Sequence, residues 1–114
     1  MAVQPLARDI WHPYLEDLTR IVRGSQAGVE IASADFGDQR LAEKVPLLGL
    51  SYDQRNDVIE VELENIGHRV LRPTSLSIDQ LPHGITAIEI VGGDGVRTLL
   101  RLKAPLLLPE PAQG

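Results

Sequence analysis

The residues most able to do chemistry lie between positions 52 and 65, YDQRNDVIEVELEN, where Asp53, Asp57, Glu60, Glu62 and Glu64 stand close together. Carboxylates at this density can hold a divalent cation, or divide into a general acid and a general base. A calcium loop needs acids at alternate positions, a central glycine and a distant bidentate glutamate. Asp53, Asp57 and Glu60 offer none of these. The glutamates instead alternate with Ile59, Val61 and Leu63, the period of a strand with one wet face and one buried face. Asp53 is expected to bond the backbone of its own turn. We therefore read the segment as structural, with no metal site.

The histidines come next. His12, His68 and His83 lack the helical spacing of a zinc pair, and the chain has no cysteine to complete a site. His68 is expected on an apolar strand face opposite Leu63, so its ring nitrogens need a partner. Ser75 and Ser77 follow nearby, without the Gly-x-Ser-x-Gly form of a nucleophile elbow. GGDG (92–95) is not followed by a helix that could present amides to a phosphate, so it reads as a hairpin turn. Arg69, Arg72, Arg97, Arg101 and Lys103 could line up as a basic stripe, and small barrels with such stripes bind RNA or single strands. Stacking platforms are few, with one Trp, one Phe and two Tyr, and a net charge of −5 disfavours nucleic acid and anionic lipid alike.

These residues must be held by a small set of elements. Residues 9–23 carry Ile10, Trp11, Tyr14, Leu15, Leu18, Ile21 and Val22 at spacings of three and four, one apolar helical stripe. Asp9 is the expected N-cap and Gly24 the stop. Strands are expected at about 28–34, 42–52, 57–63, 68–72, 76–79, 85–91 and 96–103, with FGDQR (36–40) as a turn and a tail over 104–114. Pro46 marks the second strand as an edge or as bulged. Around a turn at 53–56, Leu50 is expected opposite Ile59 and Leu48 opposite Val61. Around ENIG (64–67), Glu62 is expected opposite Arg69 as an exposed ion pair, and Val61 opposite Val70. In the last hairpin both faces are apolar, with Ile88, Ile90 and Leu99 assigned to the face that bears Arg97 and Arg101. The fold class is α+β: an N-terminal amphipathic helix on a twisted, mostly antiparallel sheet or partly closed small barrel.

The 114 residues amount to one domain of ordinary composition, 43% hydrophobic and 24% charged. No secretory leader or bilayer-length apolar run is visible, so a soluble, cytoplasmic protein is expected. The motif D-x-W-x-x-Y-L (Asp9, Trp11, Tyr14, Leu15), the block PLLGLSYDQRNDVIEVELENIGHRVLRP (46–73) and the ending GGDGVRTLLRLKAPLLLP together resemble a family of small bacterial proteins catalogued as a domain of unknown function. Gln54 and Asn56 stand where that family more typically has Pro and Asp. The resemblance implies no activity, cofactor or catalytic residue. The expectation is a non-catalytic protein that self-associates or binds a protein partner; the alternative is a small-molecule or nucleic-acid binder. The residues named for a ligand or an interface are His68, Arg72, Glu62 and Arg69.

Overall fold

Ile59, Val61 and Leu63 are buried while Glu62 and Glu64 are exposed and Glu60 is half-exposed, as period two requires. In the computed structural model, which describes residues 2–81 and 84–107, this segment is strand β4 (Val58–Leu63). The other strands are β1 (Ala2–Pro5), β2 (Gln26–Ser33), β3 (Gly37–Asp53), β5 (Gly67–Leu71), β6 (Ser75–Leu81), β7 (Gly84–Val91) and β8 (Arg97–Leu107). One helix, α1 (Trp11–Val22), follows a short 3-10 turn at Arg8–Ile10. The eight strands form one sheet in the order β1-β6-β7-β8-β2-β3-β4-β5. Every neighbouring pair is antiparallel, and the sheet curls into a half-barrel around a single core.

The curl originates in β3. This strand is 17 residues long and serves two neighbours in turn, β2 as far as Pro46 and β4 from Leu47. Its register slips twice against β2 and once against β4. Each slip leaves an extra residue on β3, and each bulge bends the strand. Lys44, at φ +56°, occupies one of them. Pro46 thus sits in a bulged strand and not on an edge. The bulge at Leu48 turns Leu47 fully inward and leaves Leu48 37% exposed.

The expected register is also corrected. Val61 lies opposite Leu50, not Leu48, and Ile59 lies opposite Tyr52. The turn occupies Gln54–Asp57, so pairing moves by two residues and the faces are preserved. The next hairpin moves by two as well: Val61 faces His68, Ile59 faces Val70, and Arg69 faces Glu60. Arg69 therefore pairs with Glu60 at 3.2 Å, not with Glu62. In the last hairpin Ile88 and Ile90 face Leu100 and Thr98 in the core, while Leu99 shares the outer face with Glu89, Arg97 and Arg101. The turn falls at 34–36, so of FGDQR only Phe36 lies in it; β3 begins at Gly37. β1 has no counterpart among the expected strands. The expected tail begins within β8, and residues 82–83 and 108–114, with His83 among them, lie outside the described residues.

Helix α1 buries Trp11, Leu15, Leu18 and Val22. Asp9 does not cap it: the N-cap position is Ile10 and makes no side-chain bond. The entry is fixed from upstream, where Leu6 N–H donates to Leu76 C=O and the Trp11 indole donates to Leu6 C=O at 2.9 Å. Pro13 is the third helical residue, where a missing N–H goes unnoticed. Gly24, at φ +91°, ends the helix as expected.

Once β2 leaves, β3 would expose one backbone edge, and α1 covers it. The Thr19 hydroxyl donates to Leu50 C=O at 2.7 Å and accepts from Leu50 N–H at 2.9 Å. His12 Nδ1–H donates to Tyr52 C=O, and Arg23 Nε to Leu48 C=O. Four helical residues rise ~6 Å and two strand residues ~6.7 Å, so Thr19 and Arg23 keep step with Leu50 and Leu48.

Candidate functional site

Two strained residues meet where the β4–β5 ribbon ends. Asp57 (φ +55°) and Arg72 (φ +47°) both adopt the left-handed region without being glycine, a conformation that persists only where surroundings enforce it. Arg72 N–H donates to Asp57 C=O at 2.8 Å. The Asp57 carboxylate accepts from the Tyr52 hydroxyl at 2.7 Å and from Arg8 at 3.0 Å. Arg8 also donates to Pro73 C=O at 2.6 Å and lies 4.4 Å over the Trp11 ring. Trp11 meets Tyr52 edge-on, with centroids 5.2 Å apart. Its hydrogen bond to Asp57, with burial second, raises the Tyr52 phenol above its ordinary pKa. Gly93 completes the knot. Its N–H donates to Leu71 C=O, and a Cβ there would come within 3.0 Å of the Arg72 carbonyl.

The knot sets the mouth of a slot of about 220 Å³ between β5 and the β7–β8 hairpin. One wall is His68, Arg69, Val70, Leu71 and Arg72 in succession; the other is Asp94, Val96 and Thr98. β5 ends the strand order, so only one of its edges is paired. The direction of its backbone groups can be read from its flanks. Ile66 C=O and Arg72 N–H point toward β4, whereas Leu71 C=O points away to Gly93. Alternation therefore turns the backbone N–H and C=O of Gly67 and Arg69, and the N–H of Leu71, outward from the sheet.

Three of the four residues named from sequence come together here. His68 is half-buried, with a 3.0 Å hydrogen bond between Nε2 and the Thr98 hydroxyl, the partner its environment demands. Arg69 is exposed and paired with Glu60. Arg72 is exposed, and no ion pair engages it among the described residues. Glu62 lies elsewhere, in a hollow with Glu60, Thr19, Arg23 and Leu48. Among the described residues no basic stripe forms: Arg97 and Arg101 lie on β8 and pair with Glu89 and Glu30. The side chain of Lys103 is outside the described residues. Asp53 caps its own turn through Arg55 N–H and Asn56 N–H. GGDG turns the last hairpin, with Gly95 at φ +82°. No group of three potential metal ligands gathers among the described residues, and no described helix is long and apolar enough to cross a membrane.

Arg8, Tyr52 and Asp57 have no part in the sequence reading as a cluster. A buried phenol needs a partner, and Asp57, just across the turn, is an acid within its reach. Arg8 carries no such signal, since 49 positions separate it from Asp57.

Fold and site together define a curled antiparallel half-barrel with one helix, an open strand edge and a strained knot beside it. The chain belongs to a family of unknown function, DUF5335, whose pattern spans residues 2–111. It is similar to an uncharacterised protein of Aquifex aeolicus (strain VF5), 33% identical over 111 residues that cover 96% of this chain and 100% of that one. No solved structure matches it.

Proposed function

We propose that this protein is a non-catalytic module that acts by association, with a protein partner or with a second copy of itself, through the open end of the half-barrel. The observation that carries this reading is the one-sided strand β5, four of whose five residues supply most of a slot wall. Unpaired strand edges recruit other strands. The side chains that could do chemistry are engaged within the fold: Asp57 by Tyr52 and Arg8, and His68 by Thr98. In the same reading α1 is the amphipathic cover of the sheet, its apolar stripe in the core and its polar side chains along β3. The protein is taken to act in the cytoplasm. Size-exclusion chromatography with light scattering over a wide concentration range, joined to affinity capture, tests the proposal. A dimer, or a partner lost on mutation of β5, supports it; a monomer at every concentration with no partner contradicts it.

A second reading rests on the convergence of His68, Arg69 and Arg72 at the slot, which suits a small anion or a nucleic-acid strand. Thermal unfolding against a metabolite and oligonucleotide panel decides it. A ligand at a hundred times its Kd adds ~2.7 kcal/mol, and silence across the panel removes this option.

A further inference from the structure

We infer that the slot beside β5 receives an acidic, extended segment of a partner protein, which pairs with β5 as an additional strand. The inference rests on the proposal that the protein associates through β5, and adds the chemistry of what binds.

The backbone sets the first requirement. Arg69 presents both N–H and C=O to the slot, and Leu71 its N–H, so an occupant must offer acceptors and donors at strand spacing. An extended peptide does so, and a phosphodiester strand, which only accepts, does not. The one aromatic residue of the slot wall, His68, is half-buried with its ring bonded to Thr98, so no Trp, Tyr or Phe platform is there for bases to stack on.

Charge sets the second requirement. Arg72, which no ion pair engages among the described residues, and Arg69, which Glu60 already holds at 3.2 Å, face one acid of the slot, Asp94, on a chain whose net charge is −5. Asp94 is itself engaged, accepting from Val96 N–H at 3.0 Å. Arg72 thus offers the slot a guanidinium outside any ion pair, complementary to acidic side chains. A second copy fits poorly. β5 laid antiparallel on β5 brings one Arg69 toward the other, and like charges across a pair destabilise it. The other free edge, β1, carries no acid and ends in Pro5, which has no N–H to give.

Side-chain direction sets the third. His68 and Val70 face inward, whereas Arg69 and the 60% exposed Leu71 face outward. Cross-strand neighbours share a face. The fitting segment therefore alternates, with aliphatic residues on the Val70 side and acids on the Arg69 side.

The probe is a blocked heptapeptide of alternating valine and glutamate, titrated into the full chain and followed by amide NMR shifts and hydrogen exchange. The expected result is slowed exchange at the Arg69 and Leu71 amides. Arg69→Glu and Arg72→Glu should each weaken binding ~10-fold. Arg72→Gly guards against misfolding, because glycine accepts φ +47° freely; it must fold and still lose affinity. The same peptide N-methylated at alternate residues should not bind. Equal affinity for a valine–lysine peptide, undiminished binding of the N-methylated peptide, or an oligothymidylate that occupies the slot in its place would each overturn the inference. Association seen by light scattering with β5 amides unchanged would overturn it while leaving protein association standing. A monomer with no partner and no peptide binding would remove both.

Discussion

Asp57 is a short side chain that organises a long-range corner. Its carboxylate accepts two hydrogen bonds and its carbonyl a third, while its backbone is held at φ +55°. The Arg8–Asp57 pair is half solvated and contributes little by itself; the bond from the buried phenol matters more. Asp57→Ala should cost ~1–3 kcal/mol, since it leaves the Tyr52 hydroxyl without its acceptor. Asp57→Gly should cost ~1 kcal/mol less than Asp57→Ala, because glycine relieves the left-handed strain; urea unfolding of the two variants checks the order. His68 supplies a prediction in pH. Burial holds its imidazole below the ordinary 6.5, so the folded chain takes that proton less readily than the unfolded chain. Its stabilising contribution is full above 6.5 and is lost as pH falls from there toward the folded value. Thermal unfolding between about pH 7 and about pH 5 should show that decline, and His68→Gln should flatten it.

At the scale of elements, α1 acts as a substitute strand as much as a packed helix. Thr19→Val removes the hydroxyl that serves both backbone groups of Leu50, and should cost ~1–3 kcal/mol with faster exchange of the Leu50 amide. Gly93→Ala should also destabilise, by ~1–3 kcal/mol, because the new methyl meets the Arg72 backbone, which cannot yield without disturbing the knot. The elements also mark where sequence reasoning reaches. Period two placed the faces of β4 and β5 correctly, because a register error of two residues leaves every side chain on its own side. It failed at Leu48, where a bulge that no residue type announces shifts parity, and in β7–β8, where the connection takes the five residues 92–96 and the register moves by one. Pro46 did announce a bulge. β1 went unread because four residues, Ala-Val-Gln-Pro, carry too little alternation. At the site, His68, Arg69 and Arg72 were legible as polar residues on a strand that pattern defined. The Arg8–Tyr52–Asp57 knot was not, because its members meet only through the curl of β3.

The whole molecule is a sheet that begins to close and stops. Three bulges on β3, two against β2 and one against β4, bring β5 round toward the β7–β8 hairpin. His68–Thr98 and Leu71–Gly93 tie the two sides, and the gap between them is the slot. On this account β5 keeps one free edge in solution. The most direct test is amide hydrogen exchange of the protein alone, resolved residue by residue along β5. His68 and Val70, whose amides face β4, should be protected, while Gly67, Arg69 and Leu71 exchange rapidly. Uniform protection of all five amides would mean that another strand already occupies that edge, and would contradict the account.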